Sequence, residues 1–340
     1  MKILKTYKSK YDMYDAPYYG TNSPLLKEIR KLYDIDEVIL EPDYKEEDYA
    51  ELIRKYDVLM TMWASPHVPN ELADNPGNLK YICNITGHVS GWIDAPIIES
   101  PHITVTNWGD APAFGVAEGA FALLHAVMKE IPLAIDHAKN NGVGAHPDRQ
   151  MCSLHFTRIG IYGMGAIGRR FVEFIRPYMP EMYAYDPYVE NMPEGVTKVD
   201  SLEELFSKSQ IMVIHAALCD ETAGSVTKEL LAMLPDGGIL INTARGKIID
   251  QNALMAELKA GRLRAGLDVM YPTDWPEAGD EMRELRNLIM TGHFIADPIW
   301  GVDPEKLNFT ASNCLENLKL FSEGKPLKFV MDPMRYNHSS

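Results

Sequence analysis

Residues 158–172 read RIGIYGMGAIGRRFV, and this segment is the most informative about the fold. RIGIY is a short apolar run typical of a buried strand, whereas AIGRRFV begins a helical pattern. Between them, Gly163, Gly165 and Gly168 form a Gly-x-Gly-x-x-Gly motif. A strand, a glycine-rich turn and a helix in this order are typical of a βαβ unit that binds the pyrophosphate of a dinucleotide.

Each glycine of this motif has its own physical reason. Gly163 permits a tight turn, Gly165 lets a pyrophosphate approach the backbone, and Gly168 lets the helix pack closely against the strand. The backbone N–H groups of the first helical turn, around Ala166 and Ile167, are then free to bind phosphate oxygens. The motif therefore predicts a phosphate site at the start of this helix.

The next predicted strand, MYAYD, ends at Asp186, which lies 18 residues after Gly168. An acidic residue at about this spacing binds the ribose hydroxyls of the adenosine half of the cofactor. Its charge would repel a 2′-phosphate, so the sequence favours NAD over NADP. The structural alternative is an aspartate that caps the turn before Pro187.

Short apolar runs alternate with helical stretches on both sides of the motif. This alternation implies parallel sheets with helices on their faces, and the chain length suggests about two domains. A long helical pattern runs from Ala113 to Lys139, and SPLLKEIRKLY (23–33) predicts a helix that starts at a Ser-Pro pair. The predicted strands are 2–7, 37–40, 57–63, 80–86 and 103–108 in the first half, and 158–162, 181–186, 211–218, 238–244, 265–270 and 288–292 in the second.

Charge and cysteine content exclude several classes of protein. The chain has 33 basic and 48 acidic residues, a net charge of −15, which suits neither nucleic acids nor an anionic membrane surface. The longest apolar stretch, 114–128, is interrupted by Glu118 and His125 and predicts a buried helix rather than a membrane span. The four cysteines form no metal or redox motif, so we expect no metal site and reduced thiols in a cytoplasmic protein.

Two residues at predicted strand ends are candidates for catalysis. Arg245 ends INTARG (241–246), and an arginine at the carboxyl end of a parallel strand can bind a substrate carboxylate with both prongs of its guanidinium. A surface salt bridge is the alternative interpretation. His293 follows the last predicted strand, where it could act as a general acid or base near neutral pH, although a structural histidine is the commoner outcome.

These motifs together resemble the D-isomer-specific 2-hydroxyacid dehydrogenase family. The similarity extends from about residue 79 to residue 330, whereas the first 78 residues add little. The stretches that carry it are GIYGMGAIGRR, AYDPY, INTARGKIID, NALMAELKAGRLRAGLDV and TGH, together with GVAEGAFAL, LKYICNITGHVSGWID and CLENLKLFSEGKPL.

The resemblance implies an α/β protein of two Rossmann-like or flavodoxin-like domains with parallel sheets, with the active site in the interdomain cleft. Residues 1–111 and 299–340 would form the substrate domain, and residues 112–298 the NAD-binding Rossmann domain. The implied activity is hydride transfer between NAD and a small 2-hydroxy or 2-keto acid. A homodimer formed through the long helix of 113–139 is implied as well.

The resemblance also assigns roles to residues. Arg245 would bind the substrate carboxylate and His293 would be the acid/base. A substrate loop would share the carboxylate through its backbone N–H groups, and further residues would line the cofactor site. The loop residues are Thr86, Gly87, His88 and Val89, and the additional cofactor residues are His215, Ala216, Thr243 and Asp268.

The sequence departs from the family pattern near the acid/base. The family usually has a Glu five positions after Asp268, where this chain has Thr273. Asp274, one residue later, is therefore our candidate partner for His293; a polar loop residue is the alternative. The residue before the histidine is usually Pro, but here it is Gly292.

The substrate loop departs as well, because His88 and Val89 add bulk where the family often has glycines. The formate dehydrogenase branch also lacks the Glu, but it has Asn and Gln where this chain has Pro112 and Thr273, so formate is not favoured. A dehydrogenase of the same fold that acts on another small anion stays open as an alternative. The alternative from another class is an NAD(H)-sensing binding protein similar to the C-terminal-binding-protein corepressors. Retention of Arg245 and of a histidine opposes it.

Tryptophans near these loops bear on the substrate. Trp63, Trp108 and Trp300 each lie near a loop that could contact it, although ordinary packing is the simpler interpretation for any one of them. Two such rings at the site would favour a bulky or aromatic 2-keto acid.

Overall fold

The computed structural model describes residues 1–15, 19–63, 65–87, 89–140, 150–277, 279–295, 307 and 309–338. His88 and Trp300 lie outside the described residues. The chain divides into two compact units, and the first is built from both ends of the chain. Unit 1 consists of Met1–Pro112 and Pro298–Ser340, and unit 2 of Ala113–Asp297.

The N-terminal part of unit 1 forms a five-stranded parallel sheet in the order β2-β1-β3-β4-β5, the order of flavodoxin-like folds. Lys2 of the first strand pairs with Asp34 on one side, and Ile3 pairs with Val58 on the other. The elements are β1 (Lys2–Tyr7), α1 (Pro24–Leu32), β2 (Asp34–Ile39), α2 (Glu46–Ile53), β3 (Val58–Thr61), β4 (Tyr81–Asn84), α3 (Ala95–Glu99) and β5 (Thr104–Thr106).

Helix α1 shows how the local sequence sets an element. Ser23 is its N-cap and accepts a hydrogen bond from the backbone N–H of Leu26, while Pro24 occupies the first helical position. Leu25, Leu26 and Ile29 are buried at helical spacing against the sheet. The helix predicted from the Ser-Pro start is therefore present.

Unit 2 forms a seven-stranded parallel sheet in the order β12-β11-β10-β9-β6-β7-β8. This is the Rossmann order, which reverses between β6 and β9. The elements are α4 (Ala113–Met128), α5 (Ile131–Asn140), β6 (Arg158–Tyr162), α6 (Ala166–Ile175), β7 (Glu181–Tyr185), β8 (Val196–Lys198), α7 (Leu202–Lys208), β9 (Ile211–Ile214), α8 (Lys228–Met233), β10 (Ile239–Asn242), α9 (Gln251–Lys259), β11 (Arg264–Leu267) and β12 (Leu288–Met290). The chain then returns to unit 1, where α10 (Phe309–Ser322) and α11 (Pro333–His338) complete it.

Both faces of each sheet are buried. In β9, Ile211 and Val213 enter one apolar core while Met212 and Ile214 enter the other. Ile3 and Leu4 of β1 divide in the same way between the two cores of unit 1. A strand buried on both faces reads as a continuous apolar run, which is why these strands could be predicted. The predicted fold class, with two parallel α/β sheets, is confirmed.

One strand was missed by the prediction, and one predicted helix is wrong. Strand β8 was not predicted, because its sequence VTK has two exposed residues and no apolar run. The single long helix predicted over 113–139 is two helices, α4 and α5. Pro132 has no N–H, and in a continuous helix its ring would clash with the carbonyl of Met128, so α4 ends at that residue. Glu130 then takes a left-handed conformation with φ 51°.

All four cysteines are free thiols. Cys83 on β4 and Cys314 on α10 lie in the core of unit 1 with their Sγ atoms 3.0 Å apart, a proximity that their separation in sequence does not indicate. In the part of the chain that the structure describes, no helix is both long and apolar enough to cross a membrane.

A buried lysine lies near this pair. Lys5 of β1 is completely buried; its Nζ lies 3.6 Å from Met62 Sδ and 4.8 Å from the centroid of the Tyr7 ring. No carboxylate among the described residues forms an ion pair with it. Burial lowers the pKa of the Lys5 ammonium to about 8, against the opposing effect of nearby groups such as the Cys314 thiol.

Replacing Lys5 by methionine should stabilise the protein at neutral pH. The folded-state pKa lies below the ordinary value of 10.5. Between about pH 8 and pH 10.5 the unfolded chain therefore binds more protons at Lys5 than the folded protein does. The free energy of unfolding of the wild type thus increases as pH rises through that window. Lys5→Met should raise the free energy of unfolding at pH 7 by about 3 kcal/mol, and it should abolish the increase of that free energy with pH. Denaturant unfolding at pH 7 and above pH 9 measures both effects, with the exposed Lys8→Met as control. Equal pH dependence in wild type and Lys5→Met would contradict the assignment.

Candidate active site

The glycine motif joins β6 to α6, and two of its glycines are required by contacts. Gly163 has φ +95°, and a Cβ there would lie 2.5 Å from the backbone N of Ala216. A Cβ on Gly168 would lie 2.3 Å from the carbonyl oxygen of Gly163. Around Gly165 no atom of the described residues lies within 4 Å of the Cβ position. The loop is therefore packed tightly at its first and third glycines and open at the second, where a pyrophosphate is predicted.

The start of α6 has the properties of an anion site. Its N-cap is Gly165, which provides no side-chain cap, and the first turn contains no acidic residue. The N–H groups of Ala166 and Ile167 precede the first intrahelical hydrogen bond, which Arg169 donates to Gly165. Free N–H groups at the positive end of a ten-residue helix attract phosphate oxygens.

Asp186 lies against this loop at the end of β7. Its Oδ2 accepts a hydrogen bond of 2.8 Å from the backbone N–H of Met164, and its Oδ1 accepts one of 2.9 Å from Tyr188. The carboxylate is thus fixed beside the glycine motif. The contact with Met164 was not predicted, although that residue's position between the first two glycines could have suggested it.

Buried polar atoms without partners collect at the carboxyl ends of neighbouring strands. Both ring nitrogens of His215, Oγ1 of Thr243 and Oδ2 of Asp268 are buried and have no hydrogen-bond partner among the described residues. These residues follow β9, β10 and β11, which continue the sheet outward from β6. Because burial of an unsatisfied polar group is unfavourable, such a set indicates a polar ligand.

His215 is a neutral ring in this set. Burial lowers its pKa to about 3, so at neutral pH one ring nitrogen is a donor and the other an acceptor. With the open space at Gly165 and the free N–H groups of α6, these atoms fit the amide, ribose and phosphate groups of a dinucleotide.

Asp268 also supports the loop that carries the candidate acid/base. Its Oδ1 accepts hydrogen bonds from Thr291 Oγ1 at 2.6 Å and from the Ile295 N–H at 3.1 Å. Its carbonyl oxygen accepts one from the His293 N–H at 2.5 Å. Sequence reasoning missed Thr291, whose place directly after β12 was the available signal.

The His293 ring is held by a carboxylate. Nδ1 of His293 lies 2.9 Å from Oδ2 of Asp274, and the other carboxylate oxygen accepts a 2.7 Å hydrogen bond from the Met270 N–H. Thr273, which stands where the family usually has a Glu, is hydrogen-bonded instead to the backbone of Trp275. With Nδ1–H donating to Asp274, Nε2 of the half-exposed ring has no partner in the described part of the chain and is available to a ligand.

The guanidinium of Arg245 lies within electrostatic range of the Asp274 carboxylate. Its Nη1 donates to the carbonyl of Ala244 at 2.7 Å, and no carboxylate among the described residues lies within ion-pair distance. Burial lowers the pKa of the guanidinium, whereas the Asp274 carboxylate raises it; an arginine remains charged at neutral pH. Gly246 brings the two segments together, because its Cβ position lies only 2.0 Å from the carbonyl carbon of Met270. A partly buried cation with free donors suits a carboxylate ligand.

The predicted substrate loop lies in unit 1. Side-chain amides fix its carbonyls: Asn84 donates to Thr86 at 2.9 Å and Asn107 donates to Gly87 at 3.0 Å. The expectation that Val89 adds bulk to a carboxylate pocket is wrong, since its side chain is 1% exposed and packs in the apolar core. His88, the other bulky residue, lies outside the described residues.

Comparison with known proteins identifies the family. Residues 121–294 match the family model described as D-isomer specific 2-hydroxyacid dehydrogenase, NAD binding domain. The chain belongs to this family. The glycine motif lies within the matched NAD-binding domain, and the resemblance inferred from the sequence is confirmed.

Individual relatives in the 2-hydroxyacid dehydrogenase family agree. Hydroxypyruvate reductase of Thermotoga maritima is 31% identical over 80% of this chain and 89% of that relative. D-3-phosphoglycerate dehydrogenase of Methanocaldococcus jannaschii is 29% identical over 78% of this chain, which spans about half (50%) of that relative. The solved structure of an acyclic imino acid reductase in complex with NADPH and D-arginine has a TM-score of 0.76 and 25% identity, covering 97% of this chain and 100% of the other.

Membership of the 2-hydroxyacid dehydrogenase family gives the class of reaction. Dehydrogenases of this family are NAD-dependent oxidoreductases that transfer a hydride between nicotinamide and a 2-hydroxy or 2-keto acid. The predicted enzyme class and the NAD cofactor are confirmed.

Proposed function

We propose that this dehydrogenase interconverts a 2-keto acid and its D-2-hydroxy acid with Arg245 as the carboxylate-binding residue and His293 as the acid/base, positioned by Asp274. The observation that carries the proposal is the 2.9 Å contact between His293 Nδ1 and Asp274 Oδ2, which leaves Nε2 without a partner among the described residues. The same Asp274 carboxylate acts electrostatically on the partly buried guanidinium of Arg245.

The chemistry follows from these positions. NADH, when bound, supplies the hydride to C2 of the keto acid. His293 in its protonated form gives its Nε2 proton to the developing alkoxide, and Asp274 stabilises the imidazolium before the transfer. Arg245 holds the carboxylate and polarises the carbonyl oxygen, so positioning and charge stabilisation supply most of the catalysis. In the oxidation direction the neutral ring accepts the hydroxyl proton.

The cofactor contacts are proposed from the unsatisfied polar groups. The N–H groups at the start of α6 would bind the pyrophosphate, and Asp186 the adenosine ribose. The unpartnered polar atoms at the strand ends would face the nicotinamide half of the cofactor. Asp268 would lie nearest the nicotinamide ring because it also supports the loop that carries His293. The proposed cofactor residues are Gly163, Gly165, Ala166, Ile167, Gly168, Asp186, His215, Ala216, Thr243 and Asp268.

The proposed role of Asp186 predicts the choice of cofactor. NADH should bind more tightly than NADPH, because the carboxylate would repel a 2′-phosphate. Asp186→Asn removes the charge at nearly constant size and should narrow the ratio of the two Kd values by at least about tenfold, since charges near 4 Å interact by roughly 4 kcal/mol near a protein surface. Fluorescence titration with both cofactors measures it, with the exposed Asp236→Asn as control. Tighter NADPH binding by the wild type would place Asp186 away from the ribose.

The substrate, assembly and location are further parts of the proposal. The backbone of Thr86, Gly87, His88 and Val89 would contribute N–H groups to the substrate carboxylate. A homodimer through α4 and α5 is supported by α5, none of whose residues is buried and whose Ile131 and Ile135 are 43% and 48% exposed. Free thiols in close contact at Cys83 and Cys314 support a reducing, cytoplasmic location.

NADH oxidation in the presence of a panel of 2-keto acids tests the proposed reaction. Turnover with at least one 2-keto acid, and none without it, is the expected result. NADH binding without turnover on any member would favour an NAD(H)-binding regulatory protein, and NAD reduction by formate alone would place the chain with the formate dehydrogenases.

A further inference from the structure

A pair of exposed aromatic rings flanks the proposed acid/base. Trp275 directly follows Asp274, and Phe294 directly follows His293. Their ring centroids lie 5.0 Å apart at an interplanar angle of 66°, an edge-to-face contact. The two residues remain 55% and 63% exposed, although each is one residue from the polar pair. An apolar surface therefore adjoins the proton-transfer group.

The tryptophan of this pair is held in place by a glycine. Gly292 has φ +58°, and a Cβ there would lie 2.8 Å from Cη2 of Trp275. The indole ring thus lies on the backbone of the residue that precedes His293. Any larger residue at 292 would displace the ring. The glycine that stands here in place of the family's usual proline therefore allows the indole ring to lie at this position.

Unit 1 has a comparable arrangement at the proposed substrate loop. Trp63, after β3, and Trp108, after β5, have ring centroids 5.2 Å apart at 86°. A Cβ on Gly87 would lie 2.8 Å from Cζ2 of Trp108, so this ring lies on the backbone of the loop. Tyr19 makes an edge-to-face contact with Trp63, which is still 39% exposed. In both units, then, an aromatic ring lies on a glycine of the segment proposed to contact the substrate.

Exposed aromatic groups of this size indicate a binding surface. An aromatic side chain stabilises a bound substrate by covering apolar area or by edge-to-face contact with a second ring. The hydrogen of glyoxylate and the hydroxymethyl group of hydroxypyruvate provide neither. The carboxylate and the keto group of a substrate would occupy Arg245 and His293. What remains for the rings is the substituent beyond C2.

From the contacts beside His293 we infer that the preferred substrate is a 2-keto acid whose C3 carries an aromatic ring, an arylpyruvate, with Trp275 as the specificity-determining residue. The inference rests on the proposed function and names its substrate class.

Steady-state kinetics with phenylpyruvate, pyruvate and glyoxylate test it in the NADH-dependent direction. Phenylpyruvate should have a kcat/KM at least about tenfold above that of pyruvate, the scale on which an apolar pocket discriminates. Trp275→Ala should lower kcat/KM for phenylpyruvate by about tenfold while changing that for pyruvate by less than about threefold. Trp275→Phe should recover part of the loss. Phe156→Ala, a 72% exposed aromatic away from these segments, is the matched control.

Several outcomes would overturn the inference, and they differ from failure of the proposed function. Equal or faster reduction of pyruvate or glyoxylate by the wild type contradicts the substrate class and leaves the reaction intact. Equal losses on all substrates would make the rings structural. A changed oligomeric mass of Trp275→Ala with unchanged kinetics would assign that ring to a contact between copies of the chain. Turnover with no 2-keto acid would contradict both proposals.

Discussion

Arg245→Lys should lower kcat/KM for a 2-keto acid by about ten- to a hundredfold, while the Kd for NADH stays within about twofold. Lysine keeps the charge but offers a single ammonium in place of a planar fork, so one charge-assisted hydrogen bond of about 1.5–3 kcal/mol is lost. Arg245→Ala should lose more, because both hydrogen bonds and the charge disappear. Initial-rate kinetics and NADH titration separate the two effects.

Arg176→Lys provides the matched control, since this exposed arginine donates to the backbone of Glu194 outside the candidate site. It should leave kcat/KM unchanged. Near-normal turnover and substrate affinity in Arg245→Lys would remove Arg245 from the substrate site. A parallel loss of NADH affinity would instead make it a cofactor or structural residue.

His293→Asn should lower kcat by about 10²- to 10⁴-fold, the usual contribution of general acid–base catalysis. Asn cannot deliver a proton at the position of Nε2. Asp274→Asn should produce an intermediate loss of about tenfold or more, because a neutral amide replaces a charge-assisted hydrogen bond that orients the ring and stabilises its protonated form. Single-turnover kinetics with saturating NADH and keto acid measure the chemical step.

The graded loss distinguishes catalysis from structure. Asp274→Asn should spare NADH binding and lose its effect when combined with His293→Asn, since it acts through that ring. His155→Asn, an exposed histidine bonded to the Tyr178 carbonyl, should have normal kinetics. Full activity in His293→Asn would contradict its role as the acid/base. Additive losses in the double variant would give Asp274 a function separate from the ring.

The sequence predicted what local physics determines. The Rossmann motif could be identified because a buried strand, three glycines with distinct roles and a helix start occur in one short segment. The parallel sheets could be predicted because strands buried on both faces are apolar along their whole length, as β9 is. Strand β8 escaped prediction because sheet pairing, and not apolar composition, makes VTK a strand.

The remaining features depend on how distant segments meet. The contact between His293 and Asp274 requires the path of the loop after β11, which Gly246 permits by its close approach to Met270. The Cys83–Cys314 contact joins residues 231 positions apart. The aromatic rings on Gly87 and Gly292 are invisible in a sequence, because a glycine gives no sign of which side chain will lie on it.

Isotope transfer from NADH to C2 of the product measures hydride transfer itself. The protein would be incubated with a 2-keto acid and NADH carrying deuterium at one or the other C4 position. We expect a D-2-hydroxy acid with deuterium at C2 from one of the two labelled cofactors, formed at a rate that His293→Asn and Arg245→Lys reduce. A product without deuterium from either cofactor, an L-configured product, or the absence of any 2-hydroxy acid while NADH binds would contradict the proposed reaction.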